Sequence, residues 1–261
     1  MLSKSPLYFV ISLFLATVVI LLTDSNHSLF LAINKVGAQF ADEIWLSVAI
    51  FGNKALTLSL LLLALWHKPH LLRAALIAGL FVMIISLSIV PLIALARPPA
   101  LLSPDSFHLI GEKLTTNSFP ATQVIAIFAV LGSIAFYFKN GLLTFCVLSF
   151  SALVALSYIM LGIHWPSDIL IGAALGWLCA WLGVYLIGAN ILRKNDIWNY
   201  LTYIIYLLIA AYLFWTNIAN NNPSLVISAI SILSVFAALW SIVWVKKGGT
   251  KDPVSVVGWL S

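Results

Sequence analysis

Two ionisable residues, His164 and Asp168, stand four positions apart in the stretch Ser157-Tyr-Ile-Met-Leu-Gly-Ile-His164-Trp-Pro-Ser-Asp168, where one apolar run ends and the next begins. In a chain this apolar, ionisable groups at such a boundary are costly to keep and point to function. Pro166 opens the following helix, so Asp168 falls in its first turn and can accept a hydrogen bond from one imidazole nitrogen. The other nitrogen is then free to act as nucleophile or base. Upstream, Ala96-Arg97-Pro98-Pro99 supplies an always-charged guanidinium whose planar fork of donors suits phosphate oxygens. Further on, Asn117-Ser118-Phe119-Pro120 gives another helix a cap and a first-turn proline, and the free amides of that turn form an anion site. Arginine, helix N-terminus and oriented histidine together describe phosphoryl transfer at a bilayer surface.

Taken singly, each residue also has a plainer role. Asp168 suits a helix dipole, Arg97 a headgroup anchor, and His164 beside Trp165 an interfacial belt. What favours the chemical reading is that all three motifs fall at the ends of neighbouring apolar runs on one membrane side. The elements that bring them there follow from composition: 62% hydrophobic against 8% charged residues leaves too little polar surface for a soluble globule of 261 residues. A spanning helix needs about 20 apolar residues. That ruler gives an all-α polytopic bundle of about eight spans, near 7–23, 54–66, 74–95, 121–138, 142–163, 167–188, 200–215 and 225–245. Residues 1–190 form a core carrying the site, and 191–261 add two transmembrane helices and a basic tail. The second span has an uncertain entry, because Gly52-Asn53-Lys54 interrupts a longer apolar stretch. Between the first two spans, Leu29, Phe30, Ile33, Val36 and Phe40 repeat at helical spacing, as in a short helix lying in the interface.

Lys4, Lys68, Arg73, Lys139, Arg193, Lys194, Lys246, Lys247 and Lys251 fall on one side of these spans, and Lys35, Lys54, Arg97 and Lys113 on the other. The richer side is expected to be cytoplasmic, with both termini inside and the site on the outer, periplasmic face of a bacterial inner membrane. The scattered basic residues are explained by topology, so no nucleic acid is implied. Cys146 and Cys179 lie inside apolar runs, and no His, Asp and Glu cluster has ligand spacing, so neither metal nor cofactor is expected.

The arrangement resembles the type 2 phosphatidic acid phosphatase (PAP2) superfamily of integral membrane lipid phosphatases, whose signature is K-x6-RP, PSGH and SR-x5-H-x3-D. Ser157, His164 and Asp168 match the third motif in spacing, Arg97-Pro98 the end of the first, and Ser118-Phe119-Pro120 the usual approach to the second. The resemblance covers roughly residues 41–188. It implies a six-helix core, His164 as the nucleophile forming a phosphohistidine, Asp168 as its orienting partner, and Arg97, Ser118 and Ser157 as phosphate-binding or supporting residues.

Several motif positions differ: Val90 stands for the lysine, Thr122 and Gln123 for the glycine and acid–base histidine, and Tyr158 for the arginine. A lost general acid costs about 100- to 10,000-fold, and each lost charge-assisted contact about 1.5–3 kcal/mol. Two escapes are open: His108 and Lys113 in the loop can fold over the site as substitute acid and cation, or the substrate is a prenyl or other lipid diphosphate, whose leaving group needs little protonation. The expected activity is therefore a lipid phosphatase or phosphotransferase favouring a diphosphate, with Gln123 among the phosphate-binding candidates. The alternatives are a catalytically impaired relative that binds a phosphorylated lipid or modulates a partner and, more remotely, a transporter. Few ionisable residues within the spans argue against coupled ion transport.

Overall fold

The computed structural model describes residues 5–188, 196–219 and 224–248. Lys4, Arg193, Lys194, Lys251 and the basic tail, with the turn at 220–223, lie outside them. Among the described residues the secondary structure is wholly helical: α1 (Ser5–Leu22), α2 (Asn26–Gly37), α3 (Asp42–Ala49), α4 (Lys54–Leu65), α5 (Pro69–Ile93), the single turn α6 (Pro98–Leu101), α7 (Thr122–Phe138), α8 (Gly141–Met160), α9 (Pro166–Gly188), α10 (Asp196–Ile218) and α11 (Leu225–Lys246). Five stretches are each long and apolar enough to cross a bilayer, namely α5 with α6, α8, α9, α10 and α11. This is an integral membrane protein.

Of the remaining three expected spans, two depart from single straight helices and the third, α7, is a single short one. α1 and α2 meet at 106°, and α3 and α4 at 74°, and each pair reaches spanning length only when taken together. At the second break Asn53 ends the 3-10 turn that follows α3 and caps α4, its Oδ1 accepting from Ala55 N at 3.0 Å and Leu56 N at 3.1 Å. The interruption read at Gly52-Asn53-Lys54 is therefore a designed corner. α7 has 17 residues, about 26 Å of helix, and is the innermost element: Val124 through Val130 are all buried. It is walled by α5, α8 and α9. Against α9 it approaches so closely that a Cβ on Gly172 would lie 3.0 Å from the Ala121 carbonyl oxygen, and one on Gly176 would strike the Ile125 carbonyl. Small residues of this kind are what lets two helix backbones touch in a membrane.

α2 is a short helix between the first two expected spans. The face it turns into the protein is Phe30, Asn34 and Gly37, whereas Leu29, Val36 and Phe40 are exposed. The buried face carries an asparagine because backbone groups there need partners. Asn34 Nδ2 donates to the carbonyls of His108, Ile159 and Met160 at 2.8, 3.2 and 3.1 Å, and its Oδ1 accepts from His108 N at 2.8 Å. One side chain thus fastens the loop after α6 to the end of α8.

α10 and α11 pack against α4 and α5 through Leu58, Leu62, Leu72, Tyr203, Tyr206 and Ala238. The two tyrosines are fully buried, and their hydroxyls donate to the Trp66 carbonyl at 2.7 Å and the Leu72 carbonyl at 3.2 Å. These bonds belong to the bundle end opposite the one where α5 finishes and α7 and α9 begin.

Candidate active site

The loop after α8 makes a sharp turn that aims His164 inward. Gly162 adopts φ +80°, and a Cβ there would lie 2.8 Å from the His108 carbonyl oxygen, so both conformation and space call for glycine. Ile163 N returns to the Tyr158 carbonyl at 3.2 Å, and Asn26 grips the start of α9 by donating to Ser167 Oγ at 2.9 Å and accepting from Ser167 N at 3.1 Å. Trp165 Nε1 donates to the Ala96 carbonyl at 3.0 Å, tying this loop to the one that carries Arg97.

The result is a buried polar cluster. His164 is 0% exposed and Asp168 1%. Asp168 Oδ2 accepts from Trp165 N at 2.9 Å and, over a very short hydrogen bond, from Ser118 Oγ. It faces His164 Nδ1 at 3.5 Å, an electrostatic pairing rather than a well-formed hydrogen bond. Arg97 lies on the other side of the ring. Its Nε donates to the Thr116 carbonyl at 2.8 Å, Nη2 to Asn117 at 3.2 Å and Nη1 to Ile163 at 3.1 Å, while Nη1 stands 3.0 Å from His164 Nε2.

That last contact fixes the tautomer. Guanidinium has only donors, so Nε2 must present its lone pair and the ring proton must sit on Nδ1, toward Asp168. Burial lowers the imidazole pKa from its ordinary value, Asp168 opposes that shift, and Arg97 adds to it. The arrangement yields a neutral histidine, held by a carboxylate at one nitrogen, with the unprotonated electron pair of the other accepting from a cation. This is the geometry in which an oxyanion bound to Arg97 would meet a nitrogen nucleophile.

Not every expected residue joins the cluster. Ser157 is buried, but its hydroxyl donates back to the Val154 carbonyl at 2.6 Å. Gln123 sits in the first turn of α7 and accepts from Thr122 Oγ1 at 3.3 Å through Oε1. His108 is held outward, its Nε2 2.8 Å from Asp42 Oδ1 at the start of α3, and Lys113 is exposed. Tyr158, standing where the motif has arginine, packs edge-on against His164 with ring centroids 5.9 Å apart and donates its hydroxyl to the Ala49 carbonyl at 2.7 Å. Asn26, Asn34 and Trp165 hold the site's loops together, and the sequence reading gave none of them that role.

The PAP2 superfamily model matches residues 70–192. Through this region, just under half of its length, the chain is similar to the PAP2 superfamily. The match leaves α1–α4 and all of α10 and α11 outside it, and it starts later than the resemblance read from residue 41. Two crystal structures share the fold. LpxE of Aquifex aeolicus is 22% identical with a TM-score of 0.53, over 61% of this chain and 94% of that one. A transmembrane PAP2-type phosphatidylglycerolphosphate phosphatase of Bacillus subtilis is 19% identical with a TM-score of 0.53, over 72% of this chain and 100% of that one. No curated protein matches by sequence.

Proposed function

We propose that this PAP2 protein is a lipid phosphatase or phosphotransferase that acts at the outer face of the membrane and prefers a lipid diphosphate, such as a prenyl diphosphate, to a monoester. The observation that carries the reading is the orientation of His164, with Nε2 facing Arg97 and Nδ1 facing Asp168. In this mechanism Arg97 and the first-turn amides of α7 hold the phosphoryl oxygens, and Nε2 attacks phosphorus. The bond to the leaving oxygen breaks with its electron pair, and the imidazolium of the phosphohistidine is stabilised by Asp168. Water, or another acceptor hydroxyl, then takes the phosphoryl group and restores the ring.

The preference for a diphosphate follows from Gln123. An amide cannot donate a proton as an acid, and His108, paired with Asp42, is not positioned to replace it. A leaving lipid monophosphate departs without protonation, whereas a leaving alkoxide does not. Purified protein in detergent, given long-chain prenyl diphosphate and phosphatidate in parallel, should release phosphate faster from the diphosphate and lose that release in His164→Ala. Activity that survives His164→Ala overturns the nucleophile assignment.

A second reading rests on the same residues. With His164 fully buried and the motif's proton donor replaced, a relative that binds a phosphorylated lipid without turning it over, or modulates a partner, would keep the Arg97 cluster for binding alone. Tight binding of either lipid with no turnover selects it.

A further inference from the structure

Outside the His164 cluster, a cleft of about 1090 Å³ runs between α4, α5, α7 and α10. Its walls are mainly apolar, and Leu80, Met83, Leu208 and Tyr212 along it are exposed, so it opens sideways from the bundle. From Trp198 to Thr216 it follows α10 over 19 residues, about 27 Å between the first and the last, close to the thickness of a bilayer's hydrocarbon layer of about 30 Å.

Arg73 lies at the end of this cleft away from the His164 site. It is 4% exposed, and a single hydrogen bond, Nη2 to Asn199 Oδ1 at 2.7 Å, fixes one corner of the guanidinium. Nε and Nη1 are buried and have no hydrogen-bond partner among the described residues. A guanidinium in apolar surroundings with two donor sites unmet is a strong demand for an anion.

We propose that this cleft is a binding site for an anionic membrane lipid, with the headgroup phosphate on the free edge of Arg73 and the hydrocarbon chains along the apolar walls toward Gln123. Only a ligand with both parts answers both observations: a free anion would leave the apolar length unfilled, and a neutral lipid would leave Arg73 unmet. The sideways opening gives the chains a route from the bilayer without passing through water. Because α4 and α10 form two of its walls, the site needs helices that the family match leaves out as well as α5 and α7, which it includes. A basic pocket between transmembrane helices near one membrane face is the kind of place where anionic headgroups are held.

The test uses the full chain, purified in detergent and delipidated, with melting temperature as the readout. Phosphatidylglycerol, phosphatidylcholine with the same acyl chains, and inorganic phosphate are titrated separately. Phosphatidylglycerol should raise the melting temperature well beyond phosphatidylcholine. Arg73→Gln should erase that difference, and Arg73→Lys should retain part of it. Gly79→Leu fills the cleft without touching Arg73, since a Cβ at Gly79 meets only Leu58 at 3.9 Å. It should also erase the difference, and it reads the same site if Arg73→Gln does not fold. His164→Ala should keep the difference, so a missing turnover with the lipid response intact counts against the proposed activity alone. Equal responses to the two lipids, a difference that survives both Arg73→Gln and Gly79→Leu, or an Arg73-dependent response to inorganic phosphate of the same size would each overturn the proposal.

Discussion

At the scale of single residues, the contact between Arg97 and His164 assigns work to each ring nitrogen, and the assignment has a pH consequence. Nε2 can attack only while the ring is neutral. Burial and Arg97 push the imidazole pKa below its ordinary value, against Asp168, so protonation is resisted on acidification. Phosphate release should therefore hold at pH values where a free imidazole, with a pKa of about 6.5, is already half protonated. The acid limb of the rate profile should lie below that value, and a limb above it would contradict the geometry. Gln123 yields a complementary prediction. Gln123→His restores a proton donor at the first turn of α7 and should raise monoester turnover, within the range of about 100- to 10,000-fold associated with a general acid, while changing diphosphate turnover far less. An equal gain on both substrates would show that leaving-group protonation is not what limits the native site. Because His108 is tied to Asp42, His108→Ala should leave diphosphate turnover near the native rate.

At the scale of elements, the site is set by joints between helices rather than by the helices themselves. Asn34 satisfies four backbone groups from two distant segments. Asn34→Ala should cost about 1–3 kcal/mol for each buried group left unpaired, visible as a large fall in melting temperature in detergent together with loss of activity. Gly162→Ala forces a β-carbon into a left-handed turn and against the His108 carbonyl. It should cost at least about 1–2 kcal/mol from conformation alone and displace His164. Such joints explain what could be read in the chain. His164 and Asp168 were legible because their spacing spans one turn through Pro166 and both lie in a single short segment. Arg97 and Ser118 were legible as separate donors. That they share one membrane side with His164 and Asp168 was legible too, but the atoms that meet were not, since these depend on how the end of α5 packs against the starts of α7 and α9, across 50 to 67 residues of sequence. Asn26 and Asn34 were invisible for a related reason: their partners are backbone groups or a serine far along the chain, and nothing local marks an asparagine for that role. The corner between α1 and α2 escaped the span ruler because hydropathy measures length, not direction, and between α3 and α4 the break at Gly52-Asn53-Lys54 was legible but its angle was not.

For the molecule as a whole, α10 and α11 are built into the bundle. Tyr203 and Tyr206 bury their rings against α4 and α5 and bond carbonyls there, so a chain ending before α10 would expose that surface and lose both hydrogen bonds. Removing 196–261 should lower the melting temperature strongly in detergent, even though the family match ends at 192. A truncated chain as stable as the whole would mean that the contact is incidental. α7 carries a different consequence. Most helices in a bilayer can exchange one apolar residue for another, because lipid accommodates any shape. α7 has almost no lipid to meet: its residues are enclosed by protein and its backbone touches α9 at Gly172 and Gly176. For this one helix, size is selected as strictly as in a water-soluble core. A saturation-mutagenesis map should show Ala126, Ala129 and Gly132 intolerant of leucine, while Ile11 and Val19 on α1, both exposed, accept it freely. The same hydropathy score would then describe two helices under opposite evolutionary constraint.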